Sequence, residues 1–549
     1  LSIEDSTTDS AAEVRDDGNA VVVTATGDMS MDTSSIWQAT ADTRINTTNF
    51  TMASSSQFQG TTATFNVSGE ASMVSSPQIN TTTRLELTGN GNWTLNSSAR
   101  LISPDVFYNN VGTVSLNNSS YIQGNQRGTL DNLRLLRSNA YLSADGYGYG
   151  GGTGPGAGKP RNSSNQSGTG GSHGGYGYRS ANDGTFTAYY DRAKTPTMAG
   201  SGGGAGTGRV GGAGGGTIIL TVNEELENSG QIRADGRNGI AGGYRNYYGS
   251  GGGGGGGIYI ESGELKGSGV FYARGGAGGG THSSLRGGGG GGGRVAIYFD
   301  EWTFSVPQNS LVNGGTGYLS KAGEVGTLAF IQRGEDAQDP KDDSYFVYGG
   351  WRWQGNDEAD HHHANFTAYN STQVSGPDSA DEAVLTITEK HLLQYDSVWR
   401  PILHDTVVNT NRFEMDSRAD LLAQEKTLTV NVADVVRMEA TTVLDAKRLT
   451  VTGTSTATLN STASVRSDNI QWTSRNLTLS SSANFTVSSR GYAGSTGPGK
   501  GLDDNGGNRS GSGGTHGGQG HRGFTQTGLS PVYGKAKTPI EPGSGGGAG

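Results

Sequence analysis

The sequence predicts an all-β fold of parallel β-solenoid-like repeats, ordered glycine-rich extended segments and a small intervening β module. Three observations predict it. Short apolar-x-apolar pairs recur at steps of about twenty residues, glycine-rich runs lead directly into strand-like words, and a long block of sequence occurs twice. Few stretches carry a 3.6-residue apolar period, so we expect little helix.

The regular pairs predict the solenoid coils. They are Phe65/Val67, Leu85/Leu87, Trp93/Leu95, Val114/Leu116 and Leu133/Leu135, and later Leu428/Val430, Leu449/Val451 and Leu477/Leu479. A repeat of about 20 residues with one short strand per side is typical of a β-solenoid, in which each coil buries its pairs against the previous coil. Residues 61–145 and 428–490 are therefore predicted as solenoid coils, with Ser, Thr and Asn outward or in ladders. Residues 1–60 are predicted as an irregular β segment.

The glycine field, residues 146–333, is predicted to be ordered and to carry strands. Gly216 leads into TIILTV, Gly257 into IYIESG and Gly293 into RVAIYF. Flexible glycine linkers do not carry such β-branched and aromatic words. Because glycine has no Cβ, neighbouring extended segments can pair their backbones, and we expect left-handed threefold segments like polyproline II, packed side by side. The words LSADG, IRADG, YARG and VSSRG are interpreted as strands turning a corner at a glycine with positive φ.

The remaining segments complete the predicted organisation. Residues 334–344 are an acidic, proline-containing linker and the best domain boundary. Residues 345–427 form a β module that opens with YFVYGGWRWQG, an aromatic-rich capping or sandwich-like element. Residues 491–549 begin a second glycine-rich body.

The internal repeat is the strongest single observation. GGSHGGYGYR around His173 recurs as GGTHGGQGHR around His516, and 516 − 173 = 343. AKTP, TGPG and GSGGGAG recur at the same offset. The chain therefore holds about one and a half copies of a long unit, and we expect the two copies to fold alike.

The composition excludes several functional classes. The 549-residue chain has a net charge of −10 and only 16% charged residues, whereas nucleic-acid binding needs basic patches. No apolar run approaches the ~20 residues of a membrane span. Cysteine is absent, so no disulfide or zinc–thiolate framework exists. We expect no nucleic-acid partner and no membrane span.

Sequons indicate an extracellular protein, although the lack of cysteine alone would suggest an intracellular one. The candidate glycosylation sites are Asn46, Asn49, Asn66, Asn80, Asn92, Asn96, Asn117, Asn118, Asn162, Asn165, Asn365, Asn370, Asn460, Asn476, Asn484 and Asn508. Their density favours a secreted eukaryotic protein with N-linked glycans. The alternative is a polar β-rich sequence in which many sequons arise by chance. No signal peptide is visible and the sequence stops within GSGGGAG, so we expect an internal piece of a longer polypeptide.

Metal signals are weak. The run His361–His363 could hold a divalent metal, and acidic residues precede it at Asp357, Glu358 and Asp360. Consecutive strand residues point to alternate faces, so at most two of these histidines could share a site, and we favour a solvated polar loop. Two acidic clusters could bind Ca²⁺ weakly, although such runs are more often solvated. They are Glu335, Asp336, Asp339, Asp342 and Asp343, and Asp503 with Asp504.

Catalytic signals are also poor. GxGxxG occurs often only because glycine is abundant, and the near phosphate loop ending at Lys500 is followed by Gly501, which offers no hydroxyl for Mg²⁺. His173 and His516 occupy equivalent places, which suits a structural hydrogen bond in a tight glycine turn. We predict no catalytic residue and no cofactor or metal site, and hence a protein that is not an enzyme.

Tyrosines lie inside or beside the glycine runs. They are Tyr147, Tyr149, Tyr176, Tyr178, Tyr189, Tyr190, Tyr244, Tyr247 and Tyr248. Their rings either form a sugar-stacking surface or pack over bare backbone with their hydroxyls in water. Because the repeat shows no acid/base pair, we favour packing or assembly.

Taken together, several short sequence segments resemble a known group of proteins. The series AKTP, GSGGGAG, GGGTIILTV, NSGQIRADG, GGGIYI, GSGVFYARGG and GGGRVAIYF resembles very large secreted glycine-rich proteins of single-celled eukaryotes such as algae. The resemblance covers Leu133–Phe299 and Asn476–Gly549, but not Leu1–Gly60 or Tyr345–Thr427. It implies a pectin-lyase-like parallel β-helix in an extracellular fibre, cell coat or flagellar hair (mastigoneme). True pectin lyases place Asp and Arg on one face; no such constellation is legible here, and no catalytic residue carries over.

These inferences predict a structural repeat of an extracellular, glycosylated filament or cell-surface layer that self-associates through stacked repeats. The alternative is a carbohydrate-binding adhesin or a polysaccharide-active β-helix enzyme on the same scaffold. A cleft with two or more carboxylates and an arginine close together would favour the enzyme. Ice or mineral binding by a flat glycine or threonine face is a third possibility.

Overall fold

The fold is a parallel β-solenoid. The computed structural model describes residues 2–3, 13–15, 20–160, 167–179, 187–241, 248–280, 286–306, 310–317, 319, 321–335, 340–352, 362–375, 383–400, 405–453, 455–487, 495–500, 514, 516, 520, 531–533 and 544. It is nearly all β, with 54% strand, 1% helix and about 18 stacked parallel turns, which confirms the predicted fold class. The chain divides into two compact units, Leu1–Arg352 and Trp353–Gly549.

The first unit contains β1–β22 and a 3₁₀ turn at Pro340–Asp342. Its strands are β1 (Ser2–Ile3), β2 (Glu13–Arg15), β3 (Val21–Thr24), β4 (Asp28–Met31), β5 (Ile36–Gln38), β6 (Thr43–Thr47), β7 (Asn49–Met52), β8 (Gln57–Val67), β9 (Glu70–Val74), β10 (Gln78–Thr88), β11 (Asn92–Asn96), β12 (Arg100–Leu116), β13 (Tyr121–Leu135), β14 (Tyr141–Ser143), β15 (Thr217–Asn228), β16 (Gln231–Arg233), β17 (Gly257–Gly267), β18 (Val270–Tyr272), β19 (Arg294–Phe299), β20 (Glu301–Phe304), β21 (Thr327–Gln332) and β22 (Ser344–Arg352).

Each complete turn of this unit contributes one strand, or one part of a longer strand, to each of three faces of the solenoid. Face 1 contains β5, the first parts of β8, β10, β12 and β13, then β14, β16 and β18. Face 2 contains β3, β6, the later parts of β8 and β10, the middle of β12 and β13, the first parts of β15 and β17, then β19 and β21. Face 3 contains β4, β7, β9, β11, the ends of β12, β13, β15 and β17, and β20. Each face is thus a parallel sheet built from successive turns.

Inward-facing side chains of successive turns stack on one another. The predicted pairs are buried, as at Phe65, Val67 and Leu87. The Phe65 ring centroid lies 5.1 Å from that of Phe50 and 5.9 Å from that of Trp93. Burying each such side chain contributes about 1.5–3 kcal/mol. A single turn cannot bury its face, so the stack supplies the stability.

The glycine segments leave the solenoid between face 1 and face 2. Ordinary turns bridge this corner in a few residues, but four successive turns place longer segments there before the next face-2 strand; their described residues are 144–160, 167–179, 187–216, 234–241, 248–256, 273–280, 286–293, 312–317, 319 and 321–326. Each return strand begins on a glycine-led apolar word, as the sequence predicted. Unit 1 therefore carries a second body, made of glycine-rich backbone, on one corner.

The predicted corner glycines are only partly right. Gly146 has φ +70°, as predicted. Gly236 and Gly275 do not have positive φ; this prediction was wrong. Glycine is required at these two positions for another reason, because a Cβ would lie within 3.0 Å of a carbonyl in a neighbouring glycine segment. The fourth word, VSSRG, ends outside the described residues.

The aromatic segment after the acidic stretch ends the first unit. β22 runs antiparallel to β21, unlike the parallel pairs before it. Phe346 packs on Trp302 with ring centroids 5.1 Å apart, and Tyr348 meets the edge of Phe330 at 5.9 Å. An antiparallel strand on β21 blocks a further parallel turn there, which is how an edge is capped.

The second unit repeats the three-faced stack. Its strands are β23 (His362–Ser375), β24 (Ala383–Leu393), β25 (Val398–Arg400), β26 (Thr406–Met415), β27 (Asp420–Met438), β28 (Val443–Gly453), β29 (Thr456–Leu459), β30 (Ser464–Thr473), β31 (Asn476–Leu479) and β32 (Asn484–Thr486). Leu428, Leu449 and Val451 are buried as predicted, whereas Leu477 and Leu479 are exposed. Among the described residues of both units, no helix is long and apolar enough to cross a bilayer.

One row of stacked side chains inside the second unit is aromatic. His391 is fully buried between Phe366 and Phe413, at ring-centroid distances of 5.6 and 5.4 Å and interplanar angles of 12° and 2°. Trp399 packs against it at 5.1 Å. Neither ring nitrogen of His391 has a hydrogen-bond partner, and burial lowers its pKa to about 3. The stack therefore uses this histidine as a neutral aromatic ring.

Candidate functional site

The central glycine segment, Gly251–Gly257, shows how the glycine body is held together. Its amides donate to three surrounding segments in strict rotation. The bonds are Gly251 to Gly204 (2.8 Å), Gly252 to Gly288 (3.0 Å), Gly253 to Arg237 (2.9 Å), Gly254 to Ser201 (2.8 Å), Gly255 to Gly291 (2.9 Å) and Gly256 to Ala234 (2.7 Å). Every third amide thus meets the same neighbour, so the segment has threefold symmetry along its axis.

The carbonyls of Gly251–Gly254 accept from three further neighbours in the same rotation, and the Gly256 carbonyl accepts from Arg294, which continues the segment of Gly288 and Gly291. The donors are Gly212 to Gly251 (2.9 Å), Gly171 to Gly252 (2.9 Å), Gly276 to Gly253 (2.8 Å), Gly215 to Gly254 (2.9 Å) and Arg294 to Gly256 (3.0 Å). None of Gly251–Gly257 has positive φ, and threefold backbone with negative φ is the left-handed polyproline II helix. In the described residues, this glycine segment is therefore bonded to six neighbouring segments; the sequence predicted extended segments packed side by side, but not their number.

Only glycine fits this packing. A Cβ on any residue of Gly251–Gly257 would lie within 3.0 Å of a backbone atom of another segment. Backbone atoms cannot rotate away as a side chain can, so a substitution must move a whole segment. The entropy that glycine loses on ordering, about 0.5–1 kcal/mol per residue relative to Ala, is offset by paired backbone groups rather than by apolar side chains.

His173 supplies the one side-chain donor seen in this rotation of described residues. Its Nδ1 donates to the Gly255 carbonyl at 2.9 Å, and its Nε2 lies 3.1 Å from the Asp191 carboxylate. Burial lowers the pKa of His173, and the hydrogen bond with Asp191 opposes this. Burial acts to raise the pKa of Asp191, but His173 and the amides of Met198 and Arg192 together outweigh it, so that pKa is lowered. Both ring nitrogens are occupied by protein atoms, so the histidine holds the bundle together.

Tyr190 and Arg294 complete this buried cluster. The rings of Tyr190 and His173 lie 4.9 Å apart, the Tyr190 amide donates to the His173 carbonyl at 3.0 Å, and its hydroxyl accepts from Ser201 at 2.8 Å. Arg294 Nε donates to the Tyr190 carbonyl at 2.9 Å. Sequence analysis singled out His173 and Tyr190 but missed Arg294. Arg294 is the first residue of β19, and in the sequence it resembles an ordinary exposed arginine.

The second copy repeats the cluster contacts in its described residues. His516 and Tyr533 have rings 4.9 Å apart and a 3.0 Å backbone bond, and Ser544 donates to the Tyr533 hydroxyl at 3.0 Å. Each residue lies 343 positions after its counterpart. The described residues of the second copy thus make the same contacts as their counterparts in the first.

The acidic partner is not repeated. Asp191 has φ +67°, and the equivalent position in the second copy is Gly534. A left-handed backbone suits glycine and, at some cost, Asp. The first copy therefore accepts a small strain at Asp191, where the carboxylate also bonds His173 and the Met198 amide (2.9 Å). A pair present in only one copy is not a shared catalytic element.

The nearest approach to an acid–base constellation lies at the corner between faces 1 and 2. Asp145 accepts the Asp235 amide (2.7 Å) and forms an ion pair with Arg233, whose Nε lies 2.7 Å from its carboxylate. Asp235 accepts the Arg274 amide (2.7 Å) and the Arg274 guanidinium (2.5 Å). Burial raises the pKa of Asp145, and neighbouring Asp235 adds to the rise. All four carboxylate oxygens are used to tie consecutive corners together, which is a structural role.

A groove lined mostly by uncharged polar residues, with a largely apolar exposed surface, runs along the second unit. Its volume is about 770 Å³, and it crosses the ends of the face-2 strands. A ladder of residues paired in register from turn to turn lines it: Thr386, Asn409, Asn431, Thr452 and Thr473. Asn431 donates to Asn409 at 2.9 Å and accepts from Thr452 at 2.6 Å. Sequence reasoning predicted polar ladders but not this groove, although the spacing of about 21–23 residues between these Asn and Thr residues was visible.

The first unit carries an equivalent ladder. It consists of Thr24, Asn46, Asn66, Thr88, Asn109 and Thr129. Asn66 donates to Asn46 at 3.1 Å, and Asn46 donates to Thr24 at 3.2 Å. Asn66 and Asn109 lie 343 positions before Asn409 and Thr452, so both copies place polar side chains at the same edge.

The sequon asparagines largely belong to such ladders. Donors to a neighbouring turn include Asn49 to Asp28 (2.8 Å), Asn92 to Glu70 (2.9 Å), Asn118 to Asn96 (2.9 Å), Asn365 to Glu389 (2.8 Å) and Asn460 to Glu439 (3.3 Å). Asn118, Asn476 and Asn484 are exposed, whereas Asn46, Asn49, Asn66, Asn80, Asn92, Asn96, Asn117, Asn365 and Asn460 are half-buried. Asn162, Asn165 and Asn508 lie outside the described residues, as does the side chain of Asn370. Glycosylation stays a prediction, and turn-spaced bonding is a second reason for these asparagines.

The predicted metal residues are only partly described. His361, Asp357, Glu358 and Asp360 lie outside the described residues, with the side chain of His362, while His363 is buried in β23. Asp336, Asp339, Asp503 and Asp504 also lie outside them. Asp343 is buried, and burial raises its pKa to about 6. No group of three or more metal-binding side chains occurs among the residues that are described.

The glycine-field tyrosines pack against the backbone and one another where they are described. Tyr176 meets Tyr189 edge-on at 5.0 Å, and Tyr147 OH accepts from Gln123 at 3.2 Å. Tyr149 is exposed, and Tyr244 and Tyr247 lie outside the described residues. No tyrosine lines the groove of the second unit.

In comparisons with known proteins, no family model matches the chain, and no curated protein or solved structure is significantly similar to it. The resemblance to secreted glycine-rich proteins therefore stays a prediction.

Proposed function

We propose that the chain is a structural repeat of an extracellular, glycosylated filament or cell-surface layer, such as a cell coat or flagellar hair. The observation that carries this proposal is the glycine bundle. Its segments bond one another through buried backbone groups on every side, and this body is tied to consecutive turns of an apolar stack. Such a body resists bending because its bonds run between segments from several turns.

The bundle has few groups that bind or transform a small molecule. His173 and Asp191 bond each other, and the carboxylates of Asp145 and Asp235 bond consecutive corners. A general base needs a lone pair directed at a substrate. We therefore propose a building role with self-association as its partner interaction, and no catalytic role.

Electron microscopy of the purified chain, secreted from a eukaryotic host, tests this proposal. We expect rods or sheets with a regular axial repeat. A Gly253→Val variant should lose the regular repeat because its side chain meets the Ala213 carbonyl region. Gly27→Val is the matched control, since nothing lies within 4 Å of a Cβ at Gly27. Isolated particles from the wild-type chain, or unchanged assemblies from Gly253→Val, would contradict the proposal.

A binding role on the same scaffold is a second candidate. It is favoured by one specific observation, the groove of the second unit. The two roles are compatible, because the bundle and the groove use different residues.

A further inference from the structure

The groove of the second unit has the dimensions of a site for a chain-like ligand. Its ladder spans five consecutive turns, from Thr386 to Thr473. Parallel strands lie about 4.8 Å apart, so four intervals give a length of about 19 Å. A ligand in this groove would run along the stacking direction and meet the same kind of side chain at each turn.

The lining residues are mostly Asn and Thr and none of those described is charged, but most of the lining surface that they expose is apolar. Beside the ladder the lining comprises Ile387, Thr388, Thr410, Asn411, Val432, Ala433 and Gly453. One group of charged residues on the neighbouring strands is paired internally. Glu414 bonds Lys390 at 3.3 Å and Arg412 at 2.8 Å. A charged ligand would lose hydration without gaining an opposite charge, so the groove suits a neutral one.

The ladder presents Asn or Thr side chains at a fixed step. Asn and Thr side chains can both give and accept hydrogen bonds, and the methyl and aliphatic groups of Val432, Ala433 and Ile387 lie beside them. A ligand with hydroxyls around an apolar ring face, repeated at a step close to the turn spacing, matches both features. Linear polysaccharides of pyranose sugars have this chemistry.

We propose that this groove binds an extended, neutral polysaccharide along the axis of the second unit. Asn409, Asn431 and Thr452 supply the repeated hydrogen bonds, and Ala433 with Val432 supplies the apolar floor. The groove contains no described carboxylate, so it holds the polymer without cleaving it. This role does not depend on the building role of the bundle.

Calorimetric titration of the full chain with cellohexaose, a neutral linear hexasaccharide, tests the proposal, with an oligogalacturonate of equal length as the acidic comparison. We expect binding of the neutral sugar and at least tenfold weaker binding of the acidic one. Ala433→Trp should abolish binding by filling the groove. Thr452→Val should weaken it several-fold to about tenfold, because one neutral hydrogen bond is lost.

Two controls make the result decisive. Thr462→Val changes an exposed threonine at another corner, which is not part of the groove lining, and should leave affinity unchanged. Hydrogen exchange in β26–β28 should be the same in every variant, which separates blocked binding from unfolding. Absence of cellohexaose binding, tighter binding of the acidic sugar, or unchanged affinity in a folded Ala433→Trp variant would overturn the proposal.

Discussion

The apolar stack and the glycine bundle of the first unit solve the same packing problem in opposite ways. In the stack, side chains such as Phe50, Phe65 and Trp93 fill the interior and the backbone pairs at the edges. In the bundle, the backbone itself fills the interior, and Gly251–Gly257 are surrounded by other backbones. The stack is built from side chains of varied shape, whereas a Cβ at any position of Gly251–Gly257 would collide with another backbone.

The two bodies also bury histidine differently. His173 in the bundle has an oxygen at each ring nitrogen. His391, in the stack of the second unit, lies between Phe366 and Phe413 with neither nitrogen hydrogen-bonded. The apolar stack buries a histidine ring without hydrogen bonds because the ring stays neutral. The glycine bundle instead gives its buried histidine hydrogen-bond partners.

The largest expected effect concerns the stack in acid. Because the folded pKa of His391 is about 3 and the unfolded value is about 6.5, the unfolded chain binds a proton first as the pH falls. Stability present above pH 6.5 should fall between pH 6.5 and 3 by up to about 5 kcal/mol. Denaturant unfolding followed by exchange in β24 measures it, with His391→Phe as the control. Equal pH profiles for the two proteins would contradict this.

The next effect tests whether side-chain volume governs the stack. Phe65→Ala should cost about 3–5 kcal/mol, because it leaves a cavity beside Phe50 and Trp93. Phe65→Leu keeps most of the volume and should cost less than about 1.5 kcal/mol. Chemical denaturation of the full chain measures both. Similar losses for the two variants would mean that the stack is as intolerant of shape as the bundle.

The smallest effect tests the bundle with a single methyl group. Gly253→Ala places a Cβ within 3.0 Å of Ala213 backbone atoms and should cost about 1–3 kcal/mol as overpacking. Gly27→Ala has open space and should change stability by less than about 0.5 kcal/mol. Amide exchange at Gly252–Gly256 should rise in the first variant only. If both variants behave alike, the bundle is not closed to side chains.

Much of the fold follows from local pattern. The pairs at Phe65/Val67 and Leu85/Leu87 predicted the turn length, because a residue pair that must be buried on every turn recurs with the turn. The repeated words around His173 and His516 predicted equivalent clusters, and the structure reproduces their contacts. The candidate sites were less accessible, since a groove or a buried pair joins residues that lie on different turns.

The amino-acid sequence by itself determined that the chain is a β-solenoid and that the described part of its glycine field is ordered, because these depend on periodicity and on the missing Cβ. Only the tertiary structure decided which backbone bonds which. Gly255 meets His173 across 82 residues, and Asn409, Asn431 and Thr452 form one groove wall. These contacts depend on how many residues separate one solenoid strand from the next. No local sequence pattern predicts which distant segments then lie side by side.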